Sequence, residues 1–98
     1  MTTTPASGTY FVSFSTTAAV FSKDVAAIFA IHKAGTIISH SARETHNISG
    51  HVHTIDIGIH TQAIITVNGS EAIDIRYKNS DSSTTVETHE RSMILLKV

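Results

Sequence analysis

The stretch TYFVSFST at residues 9–16 decides the fold, because large apolar and small polar side chains alternate along it. Tyr10, Val12 and Phe14 occupy every second position, and Phe11 is the one large exception between them. Side chains two residues apart on a β-strand project from the same face. This stretch therefore predicts a strand with one buried apolar face.

Similar patterns recur along the chain at intervals of about ten residues, with polar turns between them. Asn68-Gly69 is the commonest signal for a tight hairpin-type turn, and Lys33-Ala34-Gly35 supplies another turn. Polar loops are predicted at Ala42–Gly50 and Asn79–Thr85. The further predicted strands lie at residues 36–41, 51–60, 63–67, 72–78 and 92–98.

Ala18–His32 is the one segment where a helix competes with strands, because its alanines and its apolar periodicity suit either state. We favour strands there, because four apolar residues share one face of an extended chain. Those four residues are Val25, Ala27, Phe29 and Ile31.

The last two predicted strands differ in how their apolar residues are placed. In the first, Ile73, Ile75 and Tyr77 are predicted inside, and charged residues alternate with them. In contrast, Ser92–Val98 is apolar on both faces. That pattern is typical of a central strand of a sandwich or of a strand buried between subunits.

These patterns predict an all-β protein, with an antiparallel β-sandwich as a single domain at residues 9–98. Residues 1–8 are small and polar and contain the only proline, so we expect a flexible N-terminal arm there. A domain of this size buries a modest core, and oligomerisation would add to its stability.

Composition excludes several classes of function. Seven basic and eight acidic side chains give a net charge of −1, so neither nucleic acid nor a membrane surface is an expected partner. The chain has no cysteine and hence no disulfide or thiolate site. The opening MTTTPASG lacks the features of a signal peptide, and no apolar run approaches membrane-spanning length.

Four segments resemble the jelly-roll domains of the tumour-necrosis-factor and complement globular-head superfamily, particularly the bacterial and phage versions found at the ends of fibres. Their order and spacing carry the resemblance, since each segment alone is a weak signal. The four segments are Gly8–Phe14 (GTYFVSF), Ile28–Gly35 (IFAIHKAG), Asn68–Ile75 (NGSEAIDI) and Arg91–Val98 (RSMILLKV).

This resemblance implies a compact jelly roll that forms a homotrimer, with aromatic and aliphatic side chains about the threefold axis. The family's first strands are missing here or replaced by the short arm. The sheet is then incomplete, and a neighbouring subunit is expected to cover the exposed edge. The candidates for the trimer interface are Tyr10, Phe14, Tyr77, Met93 and Leu95.

The seven histidines suggest a metal site as one hypothesis. His51 and His53 would project from the same face of a strand, so both imidazoles could bind one metal ion. The alternatives are that the pair only hydrogen-bonds at the solvated start of a strand, or that clustered imidazoles sense pH. No other cofactor is predicted.

No catalytic residue is predicted, because the chain contains no nucleophile elbow, phosphate-binding loop, zinc-protease motif or dinucleotide fingerprint. Serine, histidine and aspartate occur together in almost any chain, so their presence alone does not indicate a triad. We therefore expect a protein without enzymatic activity.

The leading hypothesis is a phage-type structural protein on the virion surface, either a trimeric capsid decoration (cement) protein or a fibre knob. Its expected partners are further copies of itself and the major capsid protein or another virion protein. The alternative is a receptor- or glycan-binding adhesin, and a histidine-based metal-binding protein or enzyme ranks lower. The residues proposed to dock the arm are Thr2, Thr3, Thr4 and Pro5.

Overall fold

The strand pattern of the sequence reappears in the computed structural model, which describes residues 1–20, 26–46, 55–79 and 86–98. These residues form eight β-strands and one short 3₁₀ helix at Ser39–Ser41. The strands are β1 Thr2–Thr3, β2 Gly8–Val20, β3 Ala26–Lys33, β4 Thr36–Ile37, β5 Arg43–His46, β6 Ile55–Val67, β7 Ile73–Asn79 and β8 Val86–Lys97.

The strands form two antiparallel sheets. The three-stranded sheet has the order β6-β2-β8, with β2 at its centre. In the five-stranded sheet, β1 pairs with β7, β7 pairs with β3, and both β4 and β5 pair with β3. The prediction of an all-β, sandwich-like protein with antiparallel sheets is thereby confirmed.

The two sheets enclose one apolar core. On β2 the inward side chains are those that the alternation predicted, with Val12 and Phe14 at most 2% exposed. The ring of Phe14 stacks on that of Phe29 from β3, with the ring centroids 6.2 Å apart. Burial of a side chain of this size contributes about 2–3 kcal/mol relative to its exposure. The strand prediction for the Phe29 segment is also confirmed over Ala26–Lys33.

Several boundaries differ from the prediction. Strand β6 runs without a break through residues 60–63, because Thr61 is buried with no exposed surface and keeps the inward alternation. The predicted loop at Ala42–Gly50 contains strand β5, because β3 offers it a partner along Ala26–Phe29. Tyr77 was predicted inside but is 48% exposed, although its ring stacks on that of Phe29 at 5.3 Å.

Asn68-Gly69 does not close a hairpin, which corrects the turn prediction. Strands β6 and β7 belong to different sheets, so this segment crosses between the layers. The Asn68 side chain accepts a hydrogen bond from the backbone N–H of Ser70 at 2.9 Å. Gly69 has a φ of 96°, a conformation that favours glycine.

The N-terminal residues, expected as a flexible arm, are structured at both ends. Thr2 and Thr3 pair with Asp74 and Ile73 as strand β1. Closer to β2, the Tyr10 hydroxyl donates a hydrogen bond to the Ala6 carbonyl at 2.9 Å. The segment therefore joins the outer edge of the five-stranded sheet to the central strand of the other sheet.

Ser41, in the 3₁₀ helix, forms hydrogen bonds to both sheets. It has no exposed surface, and its hydroxyl accepts the N–H of Ile31 at 2.9 Å and donates to the Ile38 carbonyl at 2.7 Å. The Thr61 hydroxyl on β6 donates to the Ser41 carbonyl. One buried residue is thus bonded to a strand of each sheet.

We predict that Ser41→Ala lowers the free energy of unfolding by about 1–3 kcal/mol, because it leaves the buried Ile31 N–H without an acceptor. Ser39→Ala is the matched control, since Ser39 is an exposed residue of the same short helix. Urea denaturation followed by circular dichroism measures both changes. Equal midpoints for the two variants would contradict this role.

The predicted turn at Lys33-Ala34-Gly35 is confirmed as a two-residue connection between β3 and β4. Its central residues, Ala34 and Gly35, have φ values of 49° and 82°. Positive values at both positions are typical of the type I′ turn that matches the twist of paired strands. An alanine at the first position is strained, by about 1 kcal/mol.

Ala34→Asn should therefore raise the free energy of unfolding by about 0.5–1 kcal/mol, because asparagine tolerates a positive φ. Ala42→Asn serves as the control, since Ala42 is also exposed but has a φ of −65°. Thermal denaturation of both variants provides the comparison. A gain at both positions, or at neither, would show that backbone strain at Ala34 is not the cause.

Candidate interaction surface

The outward face of the three-stranded sheet is the candidate site. Because Val12 and Phe14 point into the core, the odd-numbered residues of β2 from Thr9 to Ser15 point outward. The same alternation turns the even-numbered residues of β6 and of the C-terminal part of β8 outward. Side chains of all three strands therefore lie side by side on this face.

Five apolar residues on this face form what we call the outer-face cluster. Phe11 on the central strand is paired with Ile64 on one side and with Leu96 on the other, so an apolar row crosses the whole sheet. Ile64 is 67% exposed and Leu96 is 60% exposed. The members of the outer-face cluster are Phe11, Ile64, Ile94, Leu96 and Val98.

The outer-face cluster lies within four rows of residues that contain no Asp, Glu, Lys or Arg. The strand pairing orders this part of the face into rows of three residues that cross from β6 through β2 to β8. The rows are Thr66-Thr9-Val98, Ile64-Phe11-Leu96, Gln62-Ser13-Ile94 and His60-Ser15-Ser92.

An outward sheet face normally carries charged side chains, and the cores of protein interfaces are depleted of them. The polar residues beside the outer-face cluster bond to each other across the strands. The Thr9 and Thr66 hydroxyls are 2.8 Å apart, and Ser13 Oγ lies 3.1 Å from His60 Nε2. The four rows thus combine apolar side chains at the centre with uncharged polar side chains beside them, which suits contact with another protein surface.

The residues predicted for a trimer interface lie mostly on the inner side of the sheet. Tyr10 is 9% exposed and Phe14 is 2% exposed, so both side chains contribute to the chain's own core. Met93 and Leu95 pack against that core and are partly buried. Of the five candidates, only Tyr77 is strongly exposed, and it belongs to the other sheet.

The outer-face cluster was missed as a set, although its signals are present in the sequence. Phe11 stands out as the one large residue on the polar side of β2, and Ser92–Val98 is apolar on both faces. What the pattern does not contain is the register that places Ile64 and Leu96 on either side of Phe11.

His51 and His53, the predicted metal ligands, lie outside the described residues, so that hypothesis stays a prediction. Within residues 1–20, 26–46, 55–79 and 86–98, no group of three or more His, Asp or Glu side chains could hold a metal ion. His89 lies 3.6 Å from an oxygen of Glu87, but both side chains are more than half exposed.

The Ser13–His60 contact is the arrangement closest to catalytic chemistry. It lies on an exposed strand face, and no carboxylate in the described part of the chain hydrogen-bonds to His60. A serine nucleophile needs a base that a third group orients. Among the described residues, the Ser13–His60 pair has no such third group hydrogen-bonded to His60.

A groove of about 330 Å³ lies on the five-stranded sheet. Its lining includes Ile28, Ala30 and Ile37 together with the basic residues Arg76 and Lys78. Arg76 is already paired with Asp74 at 2.8 Å. The groove mixes apolar and basic side chains, and it is also lined by His32, whose buried Nδ1 has no hydrogen-bond partner among the described residues.

No helix in the described residues is both long enough and apolar enough to cross a membrane. No protein-family model matches the chain, and neither a curated protein nor a solved structure matches it significantly. The functional interpretation therefore depends on the chain's own geometry.

Proposed function

We propose that this protein is a non-enzymatic structural module that assembles with copies of itself through the outward face of its three-stranded sheet. The observation that carries this proposal is the outer-face cluster within four rows that contain no charged side chain. An apolar surface of this kind is stabilised when a second surface removes it from water.

Burial gives the face a favourable free energy of association. Four members of the outer-face cluster are 60–70% exposed, and burial of that surface contributes about 1 kcal/mol for each. Each subunit in a symmetric assembly contributes the same residues. Two subunits together then contribute about 8 kcal/mol, which exceeds the lower estimates for the cost of association, about 4 kcal/mol.

The finer proposal is a jelly-roll homotrimer on the virion surface, as a capsid decoration protein or a fibre knob. It is supported by the resemblance of Gly8–Phe14 and the three later segments to the tumour-necrosis-factor and complement globular-head superfamily. The major capsid protein, or another virion protein, is the proposed partner. No cofactor and no catalytic step enter this proposal.

The N-terminal residues remain the proposed docking element of such a virion protein. Thr2 and Thr4 are exposed, whereas Thr3 and Pro5 are partly buried. Thr2 and Thr3 already pair with β7 along one edge of β1. Docking would therefore use the other edge of β1, and the virion protein would extend the five-stranded sheet there.

Ile64→Lys tests the outward face directly. A charge at the centre of a desolvated interface is costly, so the variant should lose at least tenfold in association constant. At concentrations below those of assembly, its thermal stability should match that of the unmodified chain, because Ile64 is 67% exposed within the chain. Sedimentation velocity over a range of concentrations measures the association.

The matched control is Ile37→Lys, the same substitution at an exposed isoleucine of the five-stranded sheet. It should leave the association unchanged. If both variants associate like the unmodified chain, or if both dissociate equally, the outward face of the three-stranded sheet is not the interface.

A further inference from the structure

Among the described residues, strand β8 pairs with β2 and with no other strand, so one of its edges is unpaired there. The N–H of Val98 donates to the Thr9 carbonyl at 2.9 Å, which identifies this pair as a hydrogen-bonded one. Because such pairs alternate in an antiparallel ladder, the backbone groups of Met93, Leu95 and Lys97 point away from β2.

A β-bulge limits this edge at its N-terminal end. The register between β2 and β8 shifts between Ser15 and Thr17, and Glu90 has a φ of 52°. The Thr16 hydroxyl donates to the His89 carbonyl at 2.8 Å beside the shift. On the N-terminal side of the bulge, the backbone groups of even-numbered residues point away from β2, so the regular edge begins at residue 92.

The free edge is apolar on both faces. Met93 and Leu95 pack against the core on the inner face, while Ile94, Leu96 and Val98 are 60–70% exposed on the outer face. Lys97 is the one charged residue between positions 92 and 98. Natural edge strands are usually protected by charges, by proline or by a covering element, and apolar unprotected edges pair with another strand.

We infer that a second copy of this chain covers the edge, with two β8 strands paired antiparallel about a twofold axis at Leu95. The inference rests on the proposed self-assembly and adds a second contact, made by the strand edge. It joins the three-stranded sheets of two copies into one continuous sheet of six strands.

The geometry of the edge selects this register. A twofold axis pairs one residue with its own copy, and the residues of this edge whose backbone groups point away from β2 are Met93, Leu95 and Lys97. An axis at Leu95 gives each of these three residues a partner among them, with Met93 opposite Lys97 of the second copy. An axis at Ile94 or at Leu96 pairs only two of the three with one another.

The side chains are compatible with the same register. On the outer face, Ile94 of one copy lies beside Leu96 of the other, so the two outer-face clusters become one apolar strip. The two Lys97 side chains lie four residues apart along the pair, a separation of about 14 Å. Their mutual repulsion is therefore small in water.

Disulfide trapping tests the register, because the chain has no cysteine of its own. In Leu95→Cys the two Cα atoms would be about 5.5 Å apart at the axis, within the range that a disulfide spans. In Lys97→Cys they would be about 14 Å apart, which is too far. Mild oxidation should therefore convert Leu95→Cys to a covalent dimer at least tenfold faster than Lys97→Cys.

Equal cross-linking of the two variants, or faster cross-linking of Lys97→Cys, would overturn the inference. If Leu95→Cys does not fold, a mixture of Ile94→Cys chains with Leu96→Cys chains carries the same test. Both residues are exposed and become direct neighbours across the axis. Cross-linking in the mixture, but not in either variant alone, is the expected result.

Addition of Ile64→Lys to Leu95→Cys separates this inference from the proposed function. The edge contact does not need Ile64, so the disulfide should still form after assembly through the face is lost. In one outcome, Ile64→Lys abolishes the assembly seen by sedimentation, and no cysteine variant cross-links. The edge inference then fails, and the proposed function stands. If cross-linking persists while Ile64→Lys leaves assembly unchanged, the proposed face contact fails and the edge contact stands.

Discussion

The structure depends on the two-sided character of the central strand β2. Its inward residues, Val12 and Phe14, supply the centre of the core and pack toward Phe29 on the opposite sheet. Its outward residue Phe11 interrupts an otherwise small and polar face. Because both neighbouring strands align with β2, this one residue also organises the apolar row that crosses the outer surface.

The alternation of apolar residues was sufficient to predict the class of the fold, because burial of one sheet face imposes a period of two. It predicted the inward face of β2 and the strand around Phe29. The turn at Ala34-Gly35 was predicted from its own turn signal. Asn68-Gly69 misled the prediction, since the local turn signal is the same whether the chain returns along a hairpin or crosses to another sheet. The continuity of β6 was also missed, because Thr61 reads as a polar interruption although its hydroxyl is satisfied inside the core.

Prediction of the candidate surface was weaker, because a surface is set by register and sheet order. Tyr10 and Phe14 were attributed to an interface, but their large side chains are used inside the chain. The pattern of Ser92–Val98 left open a central strand or a strand between subunits. The structure places β8 at the edge of its described sheet, so the option of a central strand is wrong. The apolar side chains on its outer face are therefore exposed.

The central claim is that the unmodified chain assembles with itself, and its molar mass in solution tests that claim most directly. Light scattering coupled to size exclusion, over a hundredfold range of concentration, should give the mass of an assembly: two chains from the edge contact alone, three from the proposed trimer alone, and six from both together. The mass of a single chain at every concentration would contradict the account, and the apolar outward face would then need another explanation.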